Sequence, residues 1–96
     1  MPTRQLRIYT LEPDQLAAFV EAWRDGVVPL RERFGFRVDG AWVAADGRFA
    51  WIVAHDGDFA AADQAYYASD ERARLNPDPA SWVISADTVM IEPITG

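Results

Sequence analysis

The chain has 96 residues and a mass of 10.7 kDa, enough for one domain and too short for two. Nine basic residues stand against fifteen acidic ones, a net charge of −6 that argues against a nucleic-acid or anionic-membrane partner. With no cysteine, no lysine and a single histidine, disulfides, thiolate or Schiff-base catalysis and a multi-histidine metal site within one chain are excluded.

Arg4 to Thr10 reads as a first strand, because Leu6 and Ile8 alternate with Arg7 and Tyr9. Leu11-Glu12-Pro13-Asp14 then opens a helix, with proline and an acidic residue suited to a first turn. Leu16, Phe19, Val20, Trp23, Val27, Leu30 and Phe34 recur every three or four residues and form its apolar face. Gly35 suits its C-terminal stop, and Pro29 inside it predicts a kink near Gly26. Phe36 to Ala45 and Arg48 to His55 read as strands joined at Asp46-Gly47, a two-residue hairpin signal. Asp58 can cap a second helix running to about Ser69, followed by a helical turn or two from Asp70 to Leu75. Asn76-Pro77-Asp78-Pro79 predicts a non-helical connection, and Trp82 to Glu92 a last strand with a bulge near Ser85–Asp87. The order β-α-β-β-α-β predicts an α+β, ferredoxin-like fold: a four-stranded antiparallel sheet with both helices on one face, as a single domain over residues 1–96.

A two-residue turn would pair Ala45 with Arg48. Trp42 then faces Trp51, Ala44 faces Phe49 and Val38 faces His55, all on one side of the sheet. The opposite side carries Ala41, Val43, Ala50, Ile52 and Ala54, and the large helix residues fit best over these small ones. The aromatic side would then be bare on a monomer, so a homodimer packed sheet to sheet is expected. Reversed faces would weaken that argument. No apolar run reaches the ~20 residues of a bilayer span, and Met1-Pro2-Thr3-Arg4-Gln5 lacks the apolar stretch of a signal peptide. A soluble cytoplasmic protein is therefore expected. Arginine as the only basic residue type besides His55, together with sixteen alanines, fits a GC-rich bacterial source.

His55 is the one side chain whose unperturbed pKa lies near neutrality, so it is a candidate general base; it also suits a strand-end histidine bonded to Asp56 or Asp58. Arg7 and Tyr9 share one face of the first strand and could orient an anionic or phenolic substrate and stabilise an oxyanion, or pair across the sheet and fill the core. Trp23, Trp42, Trp51 and Trp82 could stack on a flat ligand or fill core and interface. Of Tyr66 and Tyr67, one is expected to face the sheet and its neighbour the solvent. Arg31-Glu32-Arg33 and Asp70-Glu71-Arg72-Ala73-Arg74 read as solvated faces with local charge pairs. Asp39, Asp46, Asp56 and Asp58 lack the spacing of a calcium loop.

Leu6-Arg7-Ile8-Tyr9-Thr10-Leu11-x-Pro13, then Trp23 with Val28-Pro29-Leu30-Arg31-Glu32-Arg33-Phe34-Gly35-Phe36, resembles the start of NIPSNAP-type domains. Phe49-x-Trp51 leading to the Asp56–Phe59 turn, Tyr67-x-Ser69-x-Glu71-Arg72, Pro77-Asp78-Pro79 and the closing Met90-Ile91-Glu92-Pro93 fit the same family, so the resemblance spans nearly the whole chain. It implies the dimeric α+β barrel superfamily, which includes cofactor-independent quinone-forming monooxygenases, polyketide cyclases, isomerases, aldoxime dehydratases and haem-degrading enzymes. The tyrosine that the family often carries at the position of His55 is absent here. So is the second-helix histidine of the haem-degrading members, and no haem, flavin or metal is expected. The expected function is binding or transformation of a small hydrophobic or aromatic metabolite by a homodimer, through cofactor-free oxidation, cyclisation or isomerisation. Arg7, Tyr9 and His55 are the candidate catalytic groups, and Trp23, Trp42, Trp51 and Tyr66 the candidate substrate contacts. The alternative is a non-enzymatic binding or protein-interaction module.

Overall fold

A computed structural model describes residues 2–95; Met1 and Gly96, the two ends of the expected domain, lie outside it. Strands β1 (Thr3–Leu11), β2 (Phe36–Val43), β3 (Phe49–His55) and β4 (Val83–Ile91) form one antiparallel sheet in the order β2-β3-β1-β4. Helices α1 (Leu16–Ala22), α2 (Val28–Arg33), α3 (Phe59–Ala68) and the short α4 (Asp70–Ala73) complete the ferredoxin-like α+β arrangement. Among the described residues no helix is long and apolar enough to cross a membrane.

The first helix begins at Leu16, two residues after Asp14, which adopts a φ of 64° and turns the chain out of β1. Between α1 and α2, Trp23–Val27 winds as a π-helical turn in which the Val28 N–H donates to Trp23 O. Pro29 explains it: a proline lacks the N–H of a normal turn and its ring presses on the carbonyl four residues back, at Asp25. Widening the helix by one residue ahead of the proline relieves that pressure. The expected kink is thus a π turn, and it keeps Trp23, Val27, Leu30 and Arg31 on the buried side. Gly35, at a φ of 88°, ends α2. Asp58 caps α3 by accepting from Ala61 N at 3.0 Å, and Ser69 caps α4 by accepting from Arg72 N at 3.1 Å. Pro79, expected in the non-helical connection, and Trp82, expected to begin the last strand, instead bound a 3₁₀ turn over Pro79–Trp82, where Asp78 accepts from Ala80 N at 3.0 Å. The bulge in β4 falls at Ile84, where Thr10 pairs with Ser85 and Leu11 with Val83.

The hairpin register differs from the expected one. Ala44 N donates to Arg48 O and Gly47 N to Ala44 O, so three residues, Ala45-Asp46-Gly47, form the loop. Gly47 alone in it has a positive φ, at 90°, as in a turn closed by a left-handed glycine. Val43 therefore pairs with Phe49 and Ala41 with Trp51; a further bulge between Val38 and Gly40 brings Val38 opposite Val53. A one-residue slip exchanges the faces of a strand. Phe49, Trp51 and Val53 thus lie under the helices, in a core with Phe19, Trp23, Leu30, Phe36, Phe59 and Tyr66. Trp42 lies on the other face, opposite Ala50 and 55% exposed. The expectation that the aromatic side is bare is overturned. The uncovered face is the lighter one, with Leu6, Ile8, Ala50, Ile52 and Val89 beside Trp42. One end of it is closed by ion pairs, since Asp39 accepts from Arg4 at 2.7 Å and from Arg37 at 3.2 Å. Ala54, the cross-strand neighbour of both arginines, is fully buried.

Candidate functional site

Strand β1 sends Arg7 and Tyr9 to the helix-covered face, where they meet their cross-strand partners Trp51 and Phe49. Tyr9 Oη accepts from Arg7 Nε at 2.7 Å and from Trp51 Nε1 at 3.1 Å. Arg7 also donates through Nη1 to Gln5 Oε1 at 2.7 Å and through Nη2 to Tyr67 Oη at 2.9 Å. Three neutral oxygens thus hold a guanidinium that no carboxylate of the described residues touches. Burial opposes its charge, but the oxygens of Tyr9 and Tyr67 and the more distant Asp63 outweigh burial, and the Arg7 pKa lies above the ordinary arginine value.

Arg31 reaches the same place from α2. It is 1% exposed and donates to Asp63 Oδ1 at 2.6 Å and to Tyr67 Oη at 3.2 Å. Its guanidinium carbon lies 3.9 Å from the ring centre of Tyr66 and 4.7 Å from that of Phe36. Arg72, from α4, pairs with Asp78 at 3.1 Å and lies 5.9 Å from the Tyr66 ring and 5.7 Å from that of Tyr67. The reading of Arg31 and Arg72 as solvated charges is therefore corrected. Arg31 follows Val27 by four residues and Trp23 by eight, so the apolar period of the helix already placed it on the buried face. Arg72 has no comparable signal, because α4 is one turn long.

These side chains surround a cavity of about 250 Å³ between helices and sheet. Phe19, Trp23, Val27, Trp51 and Val83 supply its apolar wall; Arg7, Arg31, Arg72, Tyr9, Tyr66 and Tyr67 its polar part. Trp23 packs edge to face on Trp51 at 5.5 Å and on Phe49 at 5.0 Å, which fixes that wall. Three buried polar atoms of the lining residues have no hydrogen-bond partner: Trp23 Nε1, Arg31 Nε and Tyr66 Oη. Burial raises the pKa of Tyr66 above its ordinary value, against the pull of Arg31 and Arg72, so it is a neutral phenol at neutral pH. Tyr67 is 47% exposed, as its place beside a buried neighbour suggests, yet its hydroxyl joins Arg7 to Arg31.

Of the candidate residues, Arg7, Tyr9, Trp23, Trp51 and Tyr66 come together here. His55 does not line this cavity. It ends β3, accepts from Gly57 N through Nδ1 at 2.8 Å and packs on Phe36 with ring centres 4.9 Å apart. Trp42 stands on the opposite face of the sheet, and Trp82 lines a separate, shallower cleft of about 310 Å³ beside Glu21, Asp25 and Pro77. The polar side chains of that cleft are exposed. Among the described residues no three histidine, aspartate or glutamate side chains gather as a metal site.

An antiparallel four-stranded sheet with a helix-side cavity defines the class of ferredoxin-like α+β proteins. Within it, residues 4–92 match the NIPSNAP family model, and the chain belongs to the NIPSNAP family. An uncharacterized NIPSNAP domain protein from Burkholderia xenovorans superposes with a TM-score of 0.80 at 18% identity, over 97% of this chain and 94% of that one. A NIPSNAP family protein from Agrobacterium tumefaciens gives 0.84 at 12% identity, over 97% and 93%. A protein from Nitrosomonas europaea, provisionally named an antibiotic biosynthesis monooxygenase, gives 0.73 at 19% identity, over 97% and 90%. At these identities the likeness is one of fold. The comparison with curated proteins gives no match.

Proposed function

We propose that this protein binds a small, flat, hydrophobic or aromatic metabolite in the cavity between helices and sheet, and does so as a homodimer. One observation carries the binding half. The cavity between helices and sheet joins an aromatic and apolar wall of Phe19, Trp23, Val27 and Trp51 to convergent polar groups of Arg7, Tyr9 and Tyr67. Its volume of about 250 Å³ lies just below the roughly 300 Å³ at which drug-sized pockets begin, so the ligand is small.

A chemical step would fall to Tyr9 and Arg7. Tyr9 Oη accepts two hydrogen bonds and keeps its own proton to offer a ligand, while Arg7 stands 2.7 Å away to stabilise negative charge. The family resemblance suggests cofactor-free oxidation, cyclisation or isomerisation as the class of that step, and the Nitrosomonas neighbour bears the provisional name of a monooxygenase. Homodimer formation would use the uncovered face, where Leu6, Ile8, Trp42, Ile52 and Val89 form an apolar surface across all four strands.

Native mass spectrometry of freshly purified protein, followed by a denaturing spectrum, tests both halves. The expected result is a dimer of about 21 kDa, twice the 10.7 kDa chain, carrying a mass that denaturation releases. Ala86 lines the cavity, and Ala86→Phe should lose that mass while remaining folded. A bare protein whose tryptophan fluorescence no small aromatic compound quenches saturably overturns the binding reading.

A further inference from the structure

The hydrogen-bonding inventory of the cavity is one-sided. Its polar side chains are three arginines, three tyrosines and two tryptophans, with no carboxylate and no amide among them. Arginine and the indole N–H can only donate. The lone pairs of Tyr9 Oη are occupied by Arg7 and Trp51, and those of Tyr67 Oη by Arg7 and Arg31. Both phenols therefore have only a proton left to give. A neutral hydrocarbon ring would leave every one of these donors unanswered.

Charge is equally one-sided. Arg31 is neutralised by Asp63 and Arg72 by Asp78, and both carboxylates stand outside the lining. Among the described residues Arg7 has no ion-pair partner, in a chain whose net charge is −6. Acidic side chains are plentiful, yet none is spent on this partly buried cation. Held at hydrogen-bond distance by neutral oxygens alone, it keeps a positive charge to offer an anion.

Resting on the cavity reading above, we infer that the ligand is a small aromatic anion, a one-ring or two-ring carboxylate. Its ring lies against Trp23 and Trp51, and its carboxylate pairs with Arg7 and accepts from Tyr9 and Tyr67. Arg7 acts as the charge anchor. Its fork already donates to three neutral oxygens, which fix its plane, and its remaining N–H groups are free for a bidentate carboxylate.

The test is a calorimetric titration of the whole protein at low chloride with benzoate, 4-hydroxybenzoate, salicylate and 1-naphthoate, each against its carboxamide. The carboxamide keeps the shape and removes the charge. At least one carboxylate is expected to bind about tenfold or more tighter than its carboxamide, with tryptophan quenching in parallel. Arg7→Gln should bring the two to within about threefold of each other, whereas Arg24→Gln, at an exposed arginine remote from the cavity lining, should leave the ratio unchanged. If Arg7→Gln does not fold by circular dichroism, the ratio in the unaltered protein and its fall between 20 and about 300 mM salt decide the matter. Equal binding of carboxylates and carboxamides overturns the anionic ligand and leaves the aromatic cavity standing. Saturable binding of neither overturns both.

Discussion

Arg31 keeps its charge in a core because its surroundings answer it: Asp63 at 2.6 Å, Tyr67 Oη at 3.2 Å and the faces of Tyr66 and Phe36. Removing it strands Asp63, whose side chain is 26% exposed and so keeps part of its hydration. Arg31→Ala is expected to cost about 2–4 kcal/mol in urea unfolding, and a loss under ~0.5 kcal/mol would mean the pair does not hold α2 to α3. Tyr66 is the opposite case, a hydroxyl with nothing to bond. Tyr66→Phe removes that unpaired group and should raise stability, by about 1–3 kcal/mol. It should also change the alkaline limb. The raised Tyr66 pKa means that above pH ~10 the unfolded chain loses a proton that the folded chain retains. That contribution is complete below pH 10 and is lost as pH rises through the folded pKa, so the urea midpoint should fall there more steeply in the unaltered protein than in Tyr66→Phe. Asp46 and Asp56 have lowered pKa values, Asp46 through the backbone N–H and side chain of Arg48, Asp56 through Arg37. Their contribution is present above pH ~3.8 and lost as pH falls, and solvent screening of these exposed pairs keeps it small.

At the scale of elements, periodicity, caps and breakers made almost the whole fold legible. Asp58 caps where a helix was expected, Gly35 stops one, and Pro29 disturbs one. The hairpin register was not legible, because Asp-Gly serves two turns equally well. A two-residue turn needs positive φ at both residues, whereas a three-residue loop needs it only at its last. Here Gly47 alone has it, and the difference of one residue moved Phe49 and Trp51 from the expected outer face into the core. The site was half legible for the same reason. Arg7 and Tyr9 were candidates from strand alternation and Trp51 from the density of tryptophans, but their meeting with Arg31, Tyr67 and Arg72 depends on how helices seat on the sheet, and no local spacing encodes that. Gly47→Ala tests the turn. A Cβ there meets no atom within 4 Å, so only the φ of 90° resists it. A loss of about 1 kcal/mol in thermal unfolding with ligand affinity unchanged is expected. No loss would point to a loop that adopts another turn in solution.

For the whole molecule, the exchange of faces removes Phe49 and Trp51 from the surface that a partner copy would cover, yet it does not leave that surface polar. Trp42 at 55% and Val89 at 54% exposure flank Leu6, Ile8 and Ile52, while charge sits in the network of Arg4, Asp39, Arg37 and Asp56 at one end and at Asp87, opposite Ile8 on the edge strand β4. An apolar sheet centre with charge at its margin has the anatomy of an interface core and rim. The cavity lies on the other side of the sheet, so pairing and binding are separable. Trp42→Lys should therefore turn a dimer into a folded monomer in sedimentation velocity at tens of micromolar, with its circular dichroism and its affinity for the cavity ligand within about twofold of the unaltered protein. Two copies of a lysine facing each other across a two-fold axis repel, and each would be desolvated on closure, so a single change acts twice. Should the unaltered protein itself sediment as a monomer at 100 µM, the uncovered face is not an interface between copies. If Trp42→Lys dimerises undiminished, the copies meet elsewhere. If it becomes monomeric and also loses the ligand, the two faces of the sheet are coupled, and the cavity needs the second copy to hold its shape.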